Sequence, residues 1–145
     1  SGFFQHGHTY IGHPVATAAG LAVVTEMLSR DLISKCGNRG AQLQAALVDR
    51  FADHPHVGDI RGRGLFRGVE LVADRTTKAP FDPGKTLAAK VKSAAFEAGL
   101  ICYPMGGTVD GVSGDHVLLA PPYILEDAQI DELVTKLDMA IASCI

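Results

Sequence analysis

A chain of 145 residues suffices for one domain with a real core, since folding at this size buries roughly 70% of the unfolded surface. Hydrophobic residues make up 47% and charged residues 20%, with 16 Gly and 7 Pro, which excludes collagen-like, disordered and coiled-coil classes. Thirteen Lys and Arg against 16 Asp and Glu leave a net charge of -3, so no basic field draws in nucleic acid or an anionic membrane, and neither is expected as a partner.

Pro14 has the backbone angle of a first helical residue, and Val15 to Leu28 follows with no breaker but Gly20, which predicts a helix over 14–30. Ala16, Ala18, Ala19, Leu21, Ala22, Val23, Val24, Met27 and Leu28 cover nearly its whole circumference, so burial of its first turns on all sides is expected, by neighbours that 145 residues need not supply. The run Val15 to Val24 is too short and too rich in Ala and Gly to span a bilayer, and it lacks the flanks of a signal peptide. After Gly37, Leu43, Ala46, Leu47 and Phe51 recur at amphipathic spacing and predict a second helix that ends at Asp53-His54-Pro55-His56.

Val57 to Ile60 and Leu65 to Val72 read as strands of a hairpin around Gly62-Arg63-Gly64. Asp82 then caps a helix whose first residue is Pro83 and which Gly99 closes, followed directly by a strand over Leu100 to Tyr103 that stops at Pro104. Met105 to Gly114 has four glycines and no periodicity and is expected to be a loop. His116 to Ala120 reads as a strand stopped by Pro121-Pro122, and Ile130, Leu133, Val134, Leu137 and Ile141 define a final amphipathic helix. The order predicts an α+β fold, an α/β two-layer arrangement of helices on a small mixed or antiparallel sheet.

Three cysteines, Cys36, Cys102 and Cys144, are odd in number and far apart, which fits reduced thiols and a cytoplasmic location. Gly62, Gly64 and Gly68 have GxGxxxG spacing with extended residues after them, so they are turn glycines rather than a dinucleotide fingerprint. Gly111 to Asp115 misses the nucleophile-elbow pattern at its fifth residue, and Asp115 and His116, adjacent on a strand, point to opposite faces. His6, His8 and His13 invite a zinc reading, but no cysteine or carboxylate lies near enough in sequence to complete a tetrahedron, so no metal site is assigned. Gly7-His8-Thr9-Tyr10 runs into the Pro14 helix start, where free N–H groups, a glycine and a hydroxyl suit a phosphate; the alternative is a threonine capping its own loop.

Phe4-Gln5-His6-Gly7-His8-Thr9-Tyr10-Ile11-Gly12-His13-Pro14, then Asp59-Ile60-Arg61-Gly62-Arg63-Gly64-Leu65, then Gly114-Asp115-His116-Val117-Leu118-Leu119-Ala120-Pro121-Pro122, together resemble class III aminotransferases. All three blocks stand in that family's order, and the resemblance covers essentially the whole chain. The resemblance implies the fold-type-I architecture of pyridoxal 5'-phosphate enzymes, with residues 1–35 as the end of the large cofactor-binding domain and 36–145 as the C-terminal small α/β domain. It implies transfer of an amino group from an amine or amino acid to a keto acid. The implied cofactor-binding residues are Thr9, whose family counterpart donates to the cofactor phosphate of the neighbouring subunit, with His8 and Gly7 beside it. A homodimer with the cofactor site at the subunit interface follows from that role.

By the same resemblance, the lysine that binds the cofactor covalently lies upstream of the first block. None of the six lysines, Lys35, Lys78, Lys85, Lys90, Lys92 and Lys136, sits in a matching segment, so no catalytic residue is assigned and this polypeptide alone is expected to be inactive. The chain thus reads as a C-terminal portion of a longer enzyme, the alternative being a non-catalytic binding or regulatory module. The family's frequent carboxylate-clamping arginine has no counterpart between Gly111 and Pro122, where Leu118 is apolar. Donors without an α-carboxylate are therefore expected to be accepted, unless an arginine from the rest of the longer enzyme or from Arg61 to Arg75 reaches the site.

Overall fold

The computed structural model describes residues 2–145. It divides into two compact units, Ser1–Ser34 and Lys35–Ile145. In the first, helix α1 spans Pro14–Ser29 with Pro14 in its first turn, as the sequence predicts. The expected burial does not follow: no residue of α1 is buried, and Val15, Leu21, Val23, Val24 and Leu28 are each more than half exposed. Its small apolar residues lie all round the axis, a pattern that calls for neighbours on every side, and the described residues do not supply them.

Helix α2 spans Leu32–Phe51, so it begins before the expected start after Gly37 and carries Gly37 and Gly40 in its interior. Gly40 is there for a reason of contact: a Cβ on it would lie 2.3 Å from backbone atoms of Gly64. It lets the helix approach the hairpin rather than ending the helix. Leu43, Leu47 and Phe51, one helical turn apart, are fully buried below.

Strands β1 (Val57–Arg63) and β2 (Phe66–Leu71) form the predicted hairpin, closed by the Arg63–Phe66 pair. Of the two loop residues, Gly64 alone has a positive φ, 55°, the pattern of a II′ turn. The third helix begins later than expected. Asp82 does cap, accepting the Gly84 amide at 2.8 Å, but what it caps is a single 3₁₀ turn, Pro83–Lys85. Thr86 then takes a left-handed conformation, and α3 runs over Leu87–Glu97. Gly99, at φ 76°, closes α3 as predicted, with Leu100 N–H bonding Ala95 C=O and Gly99 N–H bonding Phe96 C=O.

Strand β3 is Tyr103–Gly106, displaced from the predicted Leu100 to Tyr103, and Pro104 lies inside it rather than stopping it. Proline is tolerated because β3 is an edge strand, where a missing N–H need not break a ladder. Strand β4 (Asp115–Leu119) and helix α4 (Asp127–Ala142) complete the chain, α4 starting in a capping box of Glu126 and Gln129.

The sheet order is β1-β2-β4-β3 and every pairing is antiparallel. Strand alternation places Val69, Leu71, Val117 and Leu119 on the buried face, in one core cluster with Leu43, Leu47 and Phe51 of α2, Val91 of α3 and Leu137 and Ile141 of α4. This is the expected α+β two-layer arrangement. The other face of the sheet carries Phe66, Gly68, Glu70, His116 and Leu118 and remains open. No helix of the described residues is long and apolar enough to cross a membrane.

Candidate functional site

The segment from His6 to Pro14 is exposed throughout and folds into two short turns, Ile11 N–H to His8 C=O and His13 N–H to Tyr10 C=O, both 3.0 Å. Gly12, at φ 74°, permits the second turn. His13 precedes α1 without a side-chain cap, and Thr17 rather than Thr9 bonds its carbonyl, at 3.0 Å. Among the described residues the Thr9 hydroxyl and amide engage no partner, and the space around Gly7 is open. No carboxylate precedes Glu26 in the sequence. Hydroxyl and amide donors without a partner among the described residues form a donor set that fits a phosphate.

The three histidines of this segment do not act together. His6 and His8 meet edge to face at 4.7 Å, whereas His13 packs against Tyr10 at 6.0 Å. Among the described residues no three His, Cys, Asp or Glu side chains are placed to hold a metal ion.

A second candidate lies on the open face of the sheet, a cleft of about 300 Å³ lined by Arg61, Phe66, Glu70, Thr108, His116 and Leu118. Arg61 Nη1 donates to Asp59 Oδ2 at 2.8 Å and to Glu70 Oε2 at 3.3 Å. The hydrogen bond from Arg61 holds the Asp59 carboxyl below the usual carboxylate range, and Asp59 in turn raises the guanidinium. Burial, and then the Arg61 charge, push the His116 imidazole below its ordinary value against the pull of Asp115 and Glu70. His116 Nδ1 is buried with no partner among the described residues. Protonating that nitrogen would place an unsatisfied donor in the sheet.

Asp115 and His116 diverge as the strand alternation requires. Asp115 is 8% exposed on the core side and accepts the Ala88 amide at 3.2 Å, so its carboxylate caps α3. Five lysines are exposed and Lys136 is half-buried; Lys85 lies over the Phe81 ring and Lys136 pairs with Glu132 at 2.5 Å. None of the six lines the cleft.

Two arginines emerge that periodicity alone does not single out. Arg61 shares the cleft with Leu118 because β1 and β4 both flank β2, a strand order that sequence spacing cannot supply. Arg67, only 9% exposed, donates at 2.8 Å to the carbonyls of Gly62 and of Gly40, clasping the hairpin to α2.

The model of one protein family, described as aminotransferase class-III, matches residues 2–141. An uncharacterized aminotransferase of Schizosaccharomyces pombe is 45% identical over 145 residues, which is 100% of this chain and 31% of that protein. Among solved structures, a transaminase from the marine bacterium Virgibacillus gives a TM-score of 0.87 at 33% identity, covering 99% of this chain and 32% of that one. An (S)-enantioselective omega-transaminase from Thermomicrobium roseum gives 0.86 at 32% identity, covering 99% and 30%. The chain therefore spans less than a third of the length of these proteins.

Proposed function

From the premise that this chain belongs to the class III aminotransferase family, we propose that it is the C-terminal portion of a pyridoxal-phosphate-dependent aminotransferase. Residues 1–35 end the large cofactor-binding domain in this reading, and 36–145 form the small domain. The observation that carries it is the family match across residues 2–141, which includes the donor-rich segment Gly7 to Thr9. Bound pyridoxal phosphate supplies the electron sink through which an amino group passes between an amine and a keto acid.

What this chain contributes is positioning. The Thr9 hydroxyl donates to the phosphate, with Gly7 leaving room for its approach and His8 beside it. Because the family's counterpart of Thr9 serves the neighbouring subunit, the working assembly is a homodimer with the site at the interface. Three free cysteines support a reducing, cytoplasmic setting. Removing the hydroxyl deletes a hydrogen bond to a charged group, which is about 1.5–3 kcal/mol, so Thr9→Ala in the longer protein is expected to weaken cofactor affinity by roughly one to two decades. Cofactor titration of the assembled dimer checks this; unchanged affinity would leave Thr9 with only a local role.

The cleft on the open sheet face supports a substrate reading. Leu118 offers no charge there, and the Arg61 guanidinium is already engaged by Asp59 and Glu70. An α-carboxylate entering the cleft would have to compete with two carboxylates for one arginine. Amine donors lacking an α-carboxylate are therefore accepted. Steady-state kinetics on an amine and its α-carboxylated analogue decide the point. A large kcat/KM preference for the carboxylated donor that Arg61→Met abolishes would show that Arg61 exchanges its partners for the substrate.

A further inference from the structure

The turn between α2 and β1 is built on two imidazoles with different requirements. His54 lies three residues beyond the end of α2, its own amide bonding the Phe51 carbonyl at 3.2 Å and its ring lying edge-on to Phe51 at 5.7 Å. Its Nδ1 accepts the backbone N–H of His56 at 3.1 Å. An accepting nitrogen carries no proton, so this bond exists only while His54 is neutral with its proton on Nε2. His56 is the opposite case: its Nδ1 contacts the Val72 carbonyl at 3.1 Å and therefore donates, in the neutral and the charged ring alike. The Val72 amide returns a bond to the His56 carbonyl at 2.9 Å, and the His56 ring packs on Phe81 at 5.3 Å. His56 is thus the fixed post that ties the turn to the end of β2, and His54 is the part that can let go.

We propose that His54 is an acid-sensitive latch: when neutral it holds the α2–β1 turn closed through the His56 amide, and when protonated it sets donor against donor and releases the turn. The surroundings favour the neutral ring. Burial pushes the His54 imidazole below its ordinary value, and the His56 ring and the Arg75 guanidinium push it further. Arg75 comes from the segment after β2 and reaches the His54 carbonyl at 3.5 Å. Asp138 of α4 opposes them, but Arg50 of α2 lies 3.4 Å from its carboxylate and offsets part of that charge. Asp53 immediately precedes His54 in the turn and is exposed to solvent.

The sign follows from the lowered value. The unfolded chain binds the His54 proton more readily than the folded one, so stability rises with pH through this window. The latch contributes fully above about pH 6.5, the unfolded value, and its contribution is lost as pH falls through the lower folded value.

The test is amide hydrogen exchange at His56 in the full 145-residue chain, corrected for intrinsic rates, at about pH 7.5 and about pH 5. Protection of that amide is expected to fall on acidification, by up to one decade for each unit by which the pH passes below the unfolded value of about 6.5, levelling off at the lower folded value. In His54→Asn the side-chain oxygen keeps an acceptor two residues before the amide without titrating, so protection is expected to stay level across the same range. Equal loss of protection in His54→Asn would assign the transition to another group and overturn the proposal, as would a level wild-type profile. If the variant does not fold, the wild-type His54 ring titration followed by NMR serves instead. Its midpoint is expected below about 6.5 and coincident with the shift of the His56 amide. A midpoint above that value, or one unrelated to the amide, overturns the latch.

Discussion

At the scale of single residues, two glycines in one helix illustrate why identity alone does not reveal a role. Gly40 faces the Gly64 backbone so closely that a Cβ would sit 2.3 Å away, whereas Gly37 has nothing within 4 Å of the same position. Alanine improves helix propensity at both sites by up to about 1 kcal/mol. At Gly40 the added methyl must displace backbone rather than a flexible side chain, an overpacking penalty of about 1–3 kcal/mol that wins. Gly40→Ala is therefore expected to lower stability and Gly37→Ala to raise it, and urea midpoints of the two variants check the opposite signs. Arg67 belongs to the same contact, since it donates to the Gly40 and Gly62 carbonyls across the gap that the glycines leave.

At the scale of elements, α3 shows a helix whose start is completed from elsewhere in the chain. Its N-terminal flanking residue, Thr86, is left-handed and gives no side-chain cap, and the Asp115 carboxylate on β4 bonds the Ala88 amide instead. Loss of such a cap lowers stability by about 0.5–2 kcal/mol, so Asp115→Ala is expected to destabilise the chain within that range. Thermal unfolding measures it, and hydrogen exchange should locate the loss in the first turn of α3; an unchanged first turn would mean that the bond contributes nothing. The C-terminal end of the same helix needs no outside help, because Gly99 and its two local hydrogen bonds close it. That difference explains why the stop of α3 was legible and its start was misplaced by the Asp82-Pro83 signal.

At the scale of the whole molecule, the chain spans less than a third of the length of its relatives, and α1 carries an all-round apolar surface that is not buried. Within the proposed function, chemistry at the cofactor requires a lysine from outside the segments that match, and the lysines present are solvated or paired at the surface. A lysine on the solvated surface lacks the apolar pocket that makes one a ready nucleophile. The 145-residue chain mixed with pyridoxal phosphate and borohydride is expected to show no stoichiometric labelling of one lysine. Peptide mapping checks this, and a single fully labelled site would contradict it.

Periodicity and punctuation by themselves determined the number and order of the α-helices and strands, though not the 3₁₀ turn at Pro83–Lys85 or the position of β3, together with the hairpin, the closure of α3 and the α+β class. These are local or nearly local properties: apolar spacing of 3.6 or 2, a proline at a helix start, a glycine at φ above zero. The Phe4 to Pro14 block and its two companions were also legible as family motifs, because each is contiguous. Only the tertiary structure decided which residues of different strands share a face. Arg61, Glu70, His116 and Leu118 meet in one cleft because β2 lies between β1 and β4, with Arg61 opposite Gly68 and His116 opposite Glu70. It likewise decided that Gly40 is a contact point, that Asp115 serves α3, and that His54 accepts where His56 donates. Register and strand order are set by the sum of many weak packing terms over the whole core, and no single stretch of sequence contains that sum.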